Sequence, residues 1–293
     1  MKKTIIIAEI GECYNGEMKT AKKMMKVAKD TKCNVVKFQT LDFANISEDD
    51  PEKEWFKKIA LDPEKISYLT DYARSIDISI LFTPENTKTA EWLVKIGLDD
   101  VKIASSSITD LSLLEYINEN FSKVYISTGM ASLDEVYQAV DCLKDIKDVY
   151  IMHCVSEYPT GPLLEQRGLQ ALAHENVNMN MMRILKQLFP QHKIGYSDHT
   201  NGILAPIVAV AMGAEVIEKH ITLNKEIPIK NYKIGKEYKG TDHVLSIEPH
   251  LLNEMVCQIR EVERIIGDWK WKRSEGEILL KNFLRKRFTL ENE

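Results

Sequence analysis

The sequence predicts an α/β protein with a single-domain (β/α)8 architecture, that of the TIM barrel. Short runs rich in valine and isoleucine alternate with longer segments of helical periodicity, and eight such units can be counted. These runs are apolar on both faces, as expected of parallel strands covered by helices outside and by packed side chains inside. The first unit has no G-x-G-x-x-G phosphate turn, which disfavours a doubly wound sheet.

The eight predicted strands cover residues 4–8, 34–38, 79–82, 100–103, 123–126, 149–153, 193–196 and 215–218. Apolar stripes and capping signals predict the helices between them. The first stripe consists of Met18, Ala21, Met25 and Ala28. Residues 62–63 (Asp-Pro) supply an N-cap and a first-turn proline, and residues 132–135 (Ser-x-x-Glu) form a capping box. A helix over 179–189 ends before Pro190, and the last long helix begins near Pro249.

We expect the barrel to occupy residues 1–267 and a basic tail to follow over 268–293. Two segments lie outside the strand-helix alternation. One is the acidic segment 41–60 after the second strand, and the other is the segment 222–241, rich in lysine and glycine, after the eighth. Both are predicted as loops over the barrel mouth, where they are candidate lids.

Composition excludes several classes of partner. The net charge of −5 is mixed along the chain and gives no basic stripe, so we expect no nucleic acid partner. The five cysteines are scattered and lack a Cys-x-x-Cys pair, which predicts reduced thiols and a cytoplasmic location. The sequence has no signal-type apolar region and no run near the ~18 apolar residues of a membrane span. We therefore expect no membrane partner.

Polar residues concentrate at the carboxyl ends of the predicted strands, where barrels carry their active sites. They are Glu9, Lys37, Gln39, Thr83, Glu85, Lys102, Ser105, Ser127, Thr128, His153, Ser156, Tyr158, Ser197, His199, Glu218 and His220. Burying ionisable groups is costly unless they are paired or coordinated, so their concentration indicates a binding site. Lysines and hydroxyls suit a small anion such as a phosphate or carboxylate. For Lys37 the alternative is that its ammonium extends to solvent or pairs with Glu9.

Two histidines indicate a metal site. His199 and His220 end successive predicted strands, and parallel pairing of these strands would bring the two imidazoles side by side. Each histidine has an acid close by, Asp198 or Glu218. The alternative is that they are two unrelated polar residues at strand ends.

Seven segments resemble, in order, those of the sialic acid synthase family. This family comprises phosphoenolpyruvate-dependent condensing enzymes that make nonulosonic acids such as N-acetylneuraminate. The segments are IAEIG at 7–11, VVKFQT at 35–40, KIAS at 102–105, STGM at 127–130, HCVSEYP at 153–159, GYSDHT at 195–200 and VIEKH at 216–220. The resemblance covers roughly residues 5–264 and implies the same barrel fold.

The resemblance also implies the roles of individual residues. Phosphoenolpyruvate would be bound by Lys37, Thr83, Lys102, Ser105, Ser127, Ser156 and Ser197. The sugar would contact Glu9, Gln39, Tyr158 and Asp242, and a divalent metal, Mn²⁺ or Mg²⁺, would be ligated by His199 and His220. The catalytic residues would be Glu9, Lys102 and Glu218, with Glu218 orienting a metal-bound water.

The implied reaction condenses phosphoenolpyruvate with an open-chain N-acyl hexosamine resembling N-acetylmannosamine. The metal polarises the aldehyde, C3 of phosphoenolpyruvate attacks it, water adds at C2, and phosphate leaves by C–O cleavage. The products are a sialic acid-type nonulosonic acid and phosphate. A homodimer is also implied by the resemblance.

This sequence departs from the family pattern in three ways that concern the predicted activity. Cys13 and Tyr14 stand where the family commonly has Asn-His, and Ser107 stands where many members carry an acid. Members usually continue into a small antifreeze-like domain, whereas this sequence ends at Glu293, so we expect that domain to come from a separate polypeptide if it takes part. Two alternatives remain open: a catalytically weakened phosphoenolpyruvate- or sugar-binding homologue, and a Schiff-base aldolase that uses Lys102.

Overall fold

The computed structural model describes residues 3–42, 46–49, 52–236, 240–268 and 270–286. Eight strands lie in this part of the chain: β1 Ile5–Glu9, β2 Val35–Thr40, β3 Ser79–Pro84, β4 Asp100–Ile103, β5 Lys123–Ser127, β6 Asp148–Cys154, β7 Lys193–Asp198 and β8 Val216–His220. The helices of these residues are α1 Met18–Asp30, α2 Lys53–Ile59, α3 Pro63–Ser75, α4 Thr87–Ile96, α5 Leu111–Asn120, α6 Leu133–Cys142, α7 Gly161–Arg167, α8 Asn180–Leu188, α9 Leu204–Ala211, α10 Glu226–Lys233, α11 Asp242–Leu245, α12 Pro249–Ile266 and α13 Glu275–Lys286.

The strands form one parallel sheet in the order β3-β2-β1-β8-β7-β6-β5-β4. The end strands β3 and β4 lie against each other, which brings the sheet nearly to closure as a barrel. The predicted fold class is therefore confirmed. All predicted strands are present, and every strand except β4 continues one or two residues beyond its predicted carboxyl end. The added residues are mostly polar, so an apolar pattern could not include them.

Alternation along the strands divides the barrel interior into an apolar and a polar layer. The lower part is filled by an apolar cluster that includes Ile7, Leu81, Tyr125, Tyr150, Met152 and Val216. Above it, Glu9 is paired in register with Lys37 on β2 and with His220 on β8. Ser197 is likewise paired with Glu218. The polar layer thus lies at the carboxyl ends of the strands, where the sequence predicts the site.

The helices between the strands follow the predicted signals. The residues that α1 buries are Ala21, Met24, Met25 and Ala28. Asp62 caps α3 by accepting a hydrogen bond from a backbone amide, and Ser132 and Glu135 form a capping box at the start of α6. The last long barrel helix, α12, begins at Pro249 as predicted. Methionine-rich stripes are used for packing here, as their flexible shape allows.

The two candidate lids and the tail contain helices that the sequence pattern did not predict. α2 lies within 41–60 because Trp55, Phe56 and Ile59 pack against the core, and α10 lies within 222–241. Within the tail, α13 is an amphipathic helix with its apolar side chains exposed. Residues 43–45, 50–51, 237–239, 269 and 287–293 of these segments lie outside the described residues. Among the described helices, none is both long and apolar enough to cross a membrane.

A fully buried ion pair joins β7 to β8 behind the histidines. Lys219 Nζ lies 2.7 Å from Asp198 Oδ2, and both side chains are 0% exposed. Asp198 also accepts hydrogen bonds from the Tyr196 hydroxyl at 2.7 Å and from the Thr200 amide at 3.0 Å. Strand alternation turns Asp198 away from the barrel interior. Asp198, the acid beside His199, is therefore engaged in this buried pair and does not line the cavity at the strand ends.

We expect Lys219→Met to lower the free energy of unfolding by about 3–5 kcal/mol, because the Asp198 carboxylate would remain buried without its counter-charge. Urea unfolding followed by circular dichroism measures this. The matched control is Lys123→Met, whose partly exposed pair with Asp100 should contribute about 1 kcal/mol or less. The double variant Asp198→Asn/Lys219→Met should recover much of the loss. Equal effects of the two single substitutions would contradict this role of the buried pair.

Candidate active site

The carboxyl ends of the strands surround a cavity of about 590 Å³. Of the residues to which the resemblance assigns a role, all except Glu9 line it: Lys37, Gln39, Thr83, Lys102, Ser105, Ser127, Ser156, Tyr158, Ser197, His199, Glu218, His220 and Asp242. Three other residues proposed at the strand ends, Glu85, Thr128 and His153, do not line it. A more open cavity of about 750 Å³ beside α10 is lined by none of these residues. The residues predicted from separate strand ends therefore meet in one place.

Glu9 lies below the cavity and does not line it. Its side chain is fully buried, and its carboxylate holds two residues that do reach the cavity. Gln39 Nε2 donates to Glu9 Oε1 at 3.0 Å, and Lys37 Nζ lies 3.2 Å from Glu9 Oε2. Glu9 was predicted to face the sugar, whereas in this structure its carboxylate contacts Lys37 and Gln39, which line the cavity in its place.

Lys37 lies between two carboxylates at the floor of the cavity. In addition to its pair with Glu9, Lys37 Nζ lies 3.3 Å from Glu218 Oε1 and donates to Thr83 Oγ1 at 3.2 Å. Burial lowers the pKa of Lys37, but the charges of Glu218 and Glu9 outweigh it and raise the pKa above its usual range. Burial raises the pKa of Glu9 in spite of the neighbouring ammonium. Lys37 is therefore a permanent positive charge in the site.

Lys102 is the second buried cation of the floor. Its Nζ donates to Ser127 Oγ at 2.6 Å and to the Ile103 carbonyl at 3.0 Å. Burial lowers the pKa of Lys102 to about 8, which still leaves it mostly protonated near neutral pH. Burial opposes ionisation of Glu218, but the charges of Lys102 and Lys37 outweigh it and lower the Glu218 pKa to about 2. Two lysines facing one firmly ionised carboxylate leave the floor suited to an anion.

Neutral donors line one wall of the cavity beside Lys102. Ser105 Oγ accepts a hydrogen bond from the Gly129 amide at 3.0 Å, and Ser156 lies against the same glycine. Any Cβ at position 129 would collide with both serine hydroxyls, so only glycine allows this approach. Across the site, Ser197 Oγ donates to Glu218 Oε1 at 3.0 Å. These hydroxyls are placed to bind the oxygens of a phosphate or carboxylate.

The two predicted metal ligands are neighbours. The ring centroids of His199 and His220 are 5.5 Å apart. His199 Nδ1 lies 2.8 Å from the Val155 carbonyl and therefore carries the proton, so that Nε2 accepts from the Tyr158 hydroxyl at 2.6 Å. His220 Nδ1 lies 3.3 Å from Asp242 Oδ2 without hydrogen-bond geometry, and it has no hydrogen-bond partner among the described residues.

These features fit a metal site completed by a ligand. Donation from Nδ1 to a backbone carbonyl, as in His199, is the usual way in which a metal-binding imidazole is oriented. The buried Nδ1 of His220 and one buried oxygen of Glu218 lack hydrogen-bond partners in the described part of the chain, which indicates a missing polar group. Among the same residues, no three His, Cys, Asp or Glu side chains group closely enough to hold an ion alone. Substrate and water would have to supply the other ligands.

The residues that depart from the family pattern lie away from the cavity. Cys13 and Tyr14 are buried, and neither lines it. Ser107 belongs to a short 3-10 turn, Ser105–Ser107, of which Ser105 and Ser106 reach the cavity and Ser107 does not. The side chains of Cys13, Tyr14 and Ser107 therefore do not take the place of the usual family residues in the cavity wall.

Several cavity residues were missed by the sequence reasoning, among them Cys154 and Glu12. Cys154 lines the cavity with Sγ 3.8 Å from His199 Nδ1. Burial raises the pKa of Cys154, but its interactions with His199, Ser105 and Lys102 outweigh burial and lower the pKa to about 7. The alternation of side chains along β6 could have identified Cys154, because position 154 faces inward and position 153 faces outward. His153, proposed at this strand end, instead forms a hydrogen bond with the Val177 carbonyl at 2.7 Å.

Glu12 also lines the cavity, and burial together with Asp242 raises its pKa to about 8.

Known proteins resemble this chain in both sequence and structure. The profile of the NeuB family matches residues 24–271. The N,N'-diacetyllegionaminic acid synthase of Campylobacter jejuni is 34% identical over 98% of this chain and 84% of its own length. The human N-acetylneuraminate-9-phosphate synthase is 30% identical over 89% of this chain and 71% of its own.

A solved structure agrees with these sequence matches. The N-acetylneuraminic acid (sialic acid) synthetase from Leptospira borgpetersenii, crystallised in complex with citrate, superposes with a TM-score of 0.83 at 29% identity. The match covers 99% of this chain and 93% of that chain. With its barrel, its charged cavity and a family profile that matches most of its length, this chain belongs to the NeuB family.

Proposed function

We propose that this protein condenses phosphoenolpyruvate with an open-chain N-acyl hexosamine in a metal-dependent reaction that yields a sialic acid-type nonulosonic acid and phosphate. The observation that carries the proposal is the cavity itself, in which Lys37 and Lys102 face a wall of hydroxyls beside His199 and His220. Relatives named as synthases of legionaminic acid and of N-acetylneuraminate 9-phosphate support the same reaction class.

The two lysines bind and orient the anionic substrate. Lys37 and Lys102 offer fixed positive charge to the phosphate and carboxylate groups, and Ser105, Ser127 and Ser156 add neutral hydrogen bonds. Because the lysines are already held by buried partners, they need little reorganisation when phosphate departs. C3 of the bound enol phosphate then attacks the sugar aldehyde, and water adds at C2 before C–O cleavage.

His199 and His220 would hold the metal at the sugar side of the cavity. A divalent cation, Mn²⁺ or Mg²⁺, supplies Lewis-acid polarisation of the aldehyde when bound there. Tyr158 must give up its hydrogen bond to His199 Nε2 if that nitrogen becomes a ligand. Glu218, with its pKa of about 2, is a weak base near neutral pH, so its role is to orient a water molecule by accepting a hydrogen bond.

The direct test is an incubation with Mn²⁺, phosphoenolpyruvate and a panel of N-acyl hexosamines, with and without 6-phosphorylation. We expect release of phosphate that depends on one of the sugars, together with a nonulosonic acid seen by mass spectrometry. No phosphate release with any sugar would contradict the proposal. Tight binding of phosphoenolpyruvate without turnover would instead favour the catalytically weakened binding homologue.

We expect His199→Ala or His220→Ala to abolish the metal-dependent activity, since each substitution removes half of the protein's metal ligands. Stoichiometric Mn²⁺ binding, measured by calorimetry after chelation and dialysis, should fall in parallel and needs no substrate. The matched control is His250→Ala, because His250 is exposed on α12 away from the cavity. Wild-type metal affinity and activity in either histidine variant would refute the ligand assignment.

A Schiff-base aldolase is the second candidate, and the pKa of Lys102 near 8 favours it. Against it, Lys102 Nζ already donates two hydrogen bonds, to Ser127 and to the Ile103 carbonyl, which an imine could not retain together. We therefore expect no covalent adduct after borohydride reduction in the presence of pyruvate, as judged by intact-protein mass. A pyruvate adduct that disappears in Lys102→Arg would establish the aldolase instead.

A further inference from the structure

Glu12 joins three segments at the rim of the cavity. It lies in the turn between β1 and α1, and its side chain lines the cavity. Glu12 Oε2 accepts a hydrogen bond from the Trp55 indole of α2 at 2.7 Å, and Oε1 accepts from the Asp242 amide at the start of α11 at 3.0 Å. Both carboxyl oxygens are therefore engaged within the protein and leave Glu12 little capacity to bind a ligand itself.

The hydrogen bond from Trp55 to Glu12 holds α2 in place beside the cavity. Phe56 and Ile59 of α2 form part of the cavity wall, so the position of this helix sets the width of the opening. The other end of α2 is tied to the same turn, since the Tyr14 hydroxyl donates to the Ile59 carbonyl. Near Gly16, whose φ is +75°, the Lys58 carbonyl packs so closely that any Cβ would collide with it.

The contact with Asp242 acts on the sugar side of the cavity. The Glu12 amide lies 3.5 Å from Asp242 Oδ2, so backbone and side chain of each residue engage the other. The same Asp242 oxygen lies 3.3 Å from His220 Nδ1. A shift of Glu12 would therefore move Asp242 relative to His220.

We propose that Glu12 is a positioning residue that clasps α2 over the cavity through Trp55 and holds Asp242 in place for the sugar substrate. The identity of that substrate rests on the proposed function. The clasp, by which we mean the hydrogen bonds of Glu12 with Trp55 and with the Asp242 amide, rests on the structure alone. Loss of Glu12 should loosen α2 and weaken sugar binding while leaving the phosphoenolpyruvate side, at Lys37 and Lys102, intact.

Two substitutions test the clasp, one at the acceptor Glu12 and one at the donor Trp55. Glu12→Gln keeps the size of the side chain, but its amide nitrogen must face one of the two donors and so loses one hydrogen bond. Trp55→Phe removes the indole N–H, keeps an aromatic ring in the core contact and leaves Asp242 untouched. The matched controls are Glu17→Gln, at an exposed glutamate that accepts from Thr20, and Trp92→Phe, on α4 away from the cavity.

The first readout is limited trypsin digestion of the full chain, with the cut sites located by mass spectrometry. Lys57 and Lys58 lie in α2, and cleavage there tracks the fraction of time that the helix is open. Loss of this buried hydrogen bond leaves one of its partners unsatisfied and should speed this cleavage by about tenfold in both clasp variants, with no change in either control. Unchanged cleavage in both variants would overturn the proposal.

The second readout is the division of the kinetic effect between the substrates. We expect the KM for the sugar to rise by about tenfold in Glu12→Gln, with the KM for phosphoenolpyruvate within about twofold of the wild type. An unchanged sugar KM, or equal rises for both substrates, would overturn the positioning role. Because the trypsin comparison needs no substrate, it decides the clasp independently, and failure of the proposed function would be seen separately as a lack of wild-type turnover.

Discussion

The buried ion pairs of Lys37 with Glu9 and Glu218 are the constraint around which the site is built. Three charged side chains from β1, β2 and β8 are taken out of water at the top of an apolar barrel layer. Such burial is costly, and it is tolerable only because the parallel register of these strands places opposite charges together. Lys102 adds a second ammonium, so that two lysines stand against the two carboxylates of the floor and can donate hydrogen bonds to an anion. The parallel register of β7 and β8 likewise brings His220 beside His199.

Much of this arrangement could be predicted from the sequence. Short apolar runs and period-3.6 patterns give the order of strands and helices, and closure of a parallel barrel gathers the carboxyl ends of all strands at one rim. Residues such as Lys37, Lys102 and His220 could therefore be assigned to one site without knowledge of any contact. The strand ends were predicted too short because inward-facing polar residues break the apolar pattern although they remain within the sheet.

The errors have physical causes of their own. His153 was placed in the site by its position near a strand end, but alternation turns it outward, and Cys154 takes the inward position. Glu9 was predicted to face the sugar, but it does not line the cavity and instead contacts Lys37 and Gln39, which do. Glu12 gave no signal, because its importance comes from a contact with α2, a helix whose own apolar residues follow no clear period. Long-range contacts of this kind are not encoded in any local pattern.

The central claim is that Lys37 and Lys102, at the floor of the cavity, bind the phosphate group of phosphoenolpyruvate. After the carbon–carbon bond has formed, this phosphate leaves together with the oxygen that bridged it to C2. The most direct measurement uses phosphoenolpyruvate labelled with oxygen-18 in the C2–O–P bridge and analyses the phosphate released in the presence of the sugar by mass spectrometry. The account predicts that the label is found in the phosphate. Unlabelled phosphate, with oxygen-18 kept on the carbon product, would mean P–O cleavage and would contradict it.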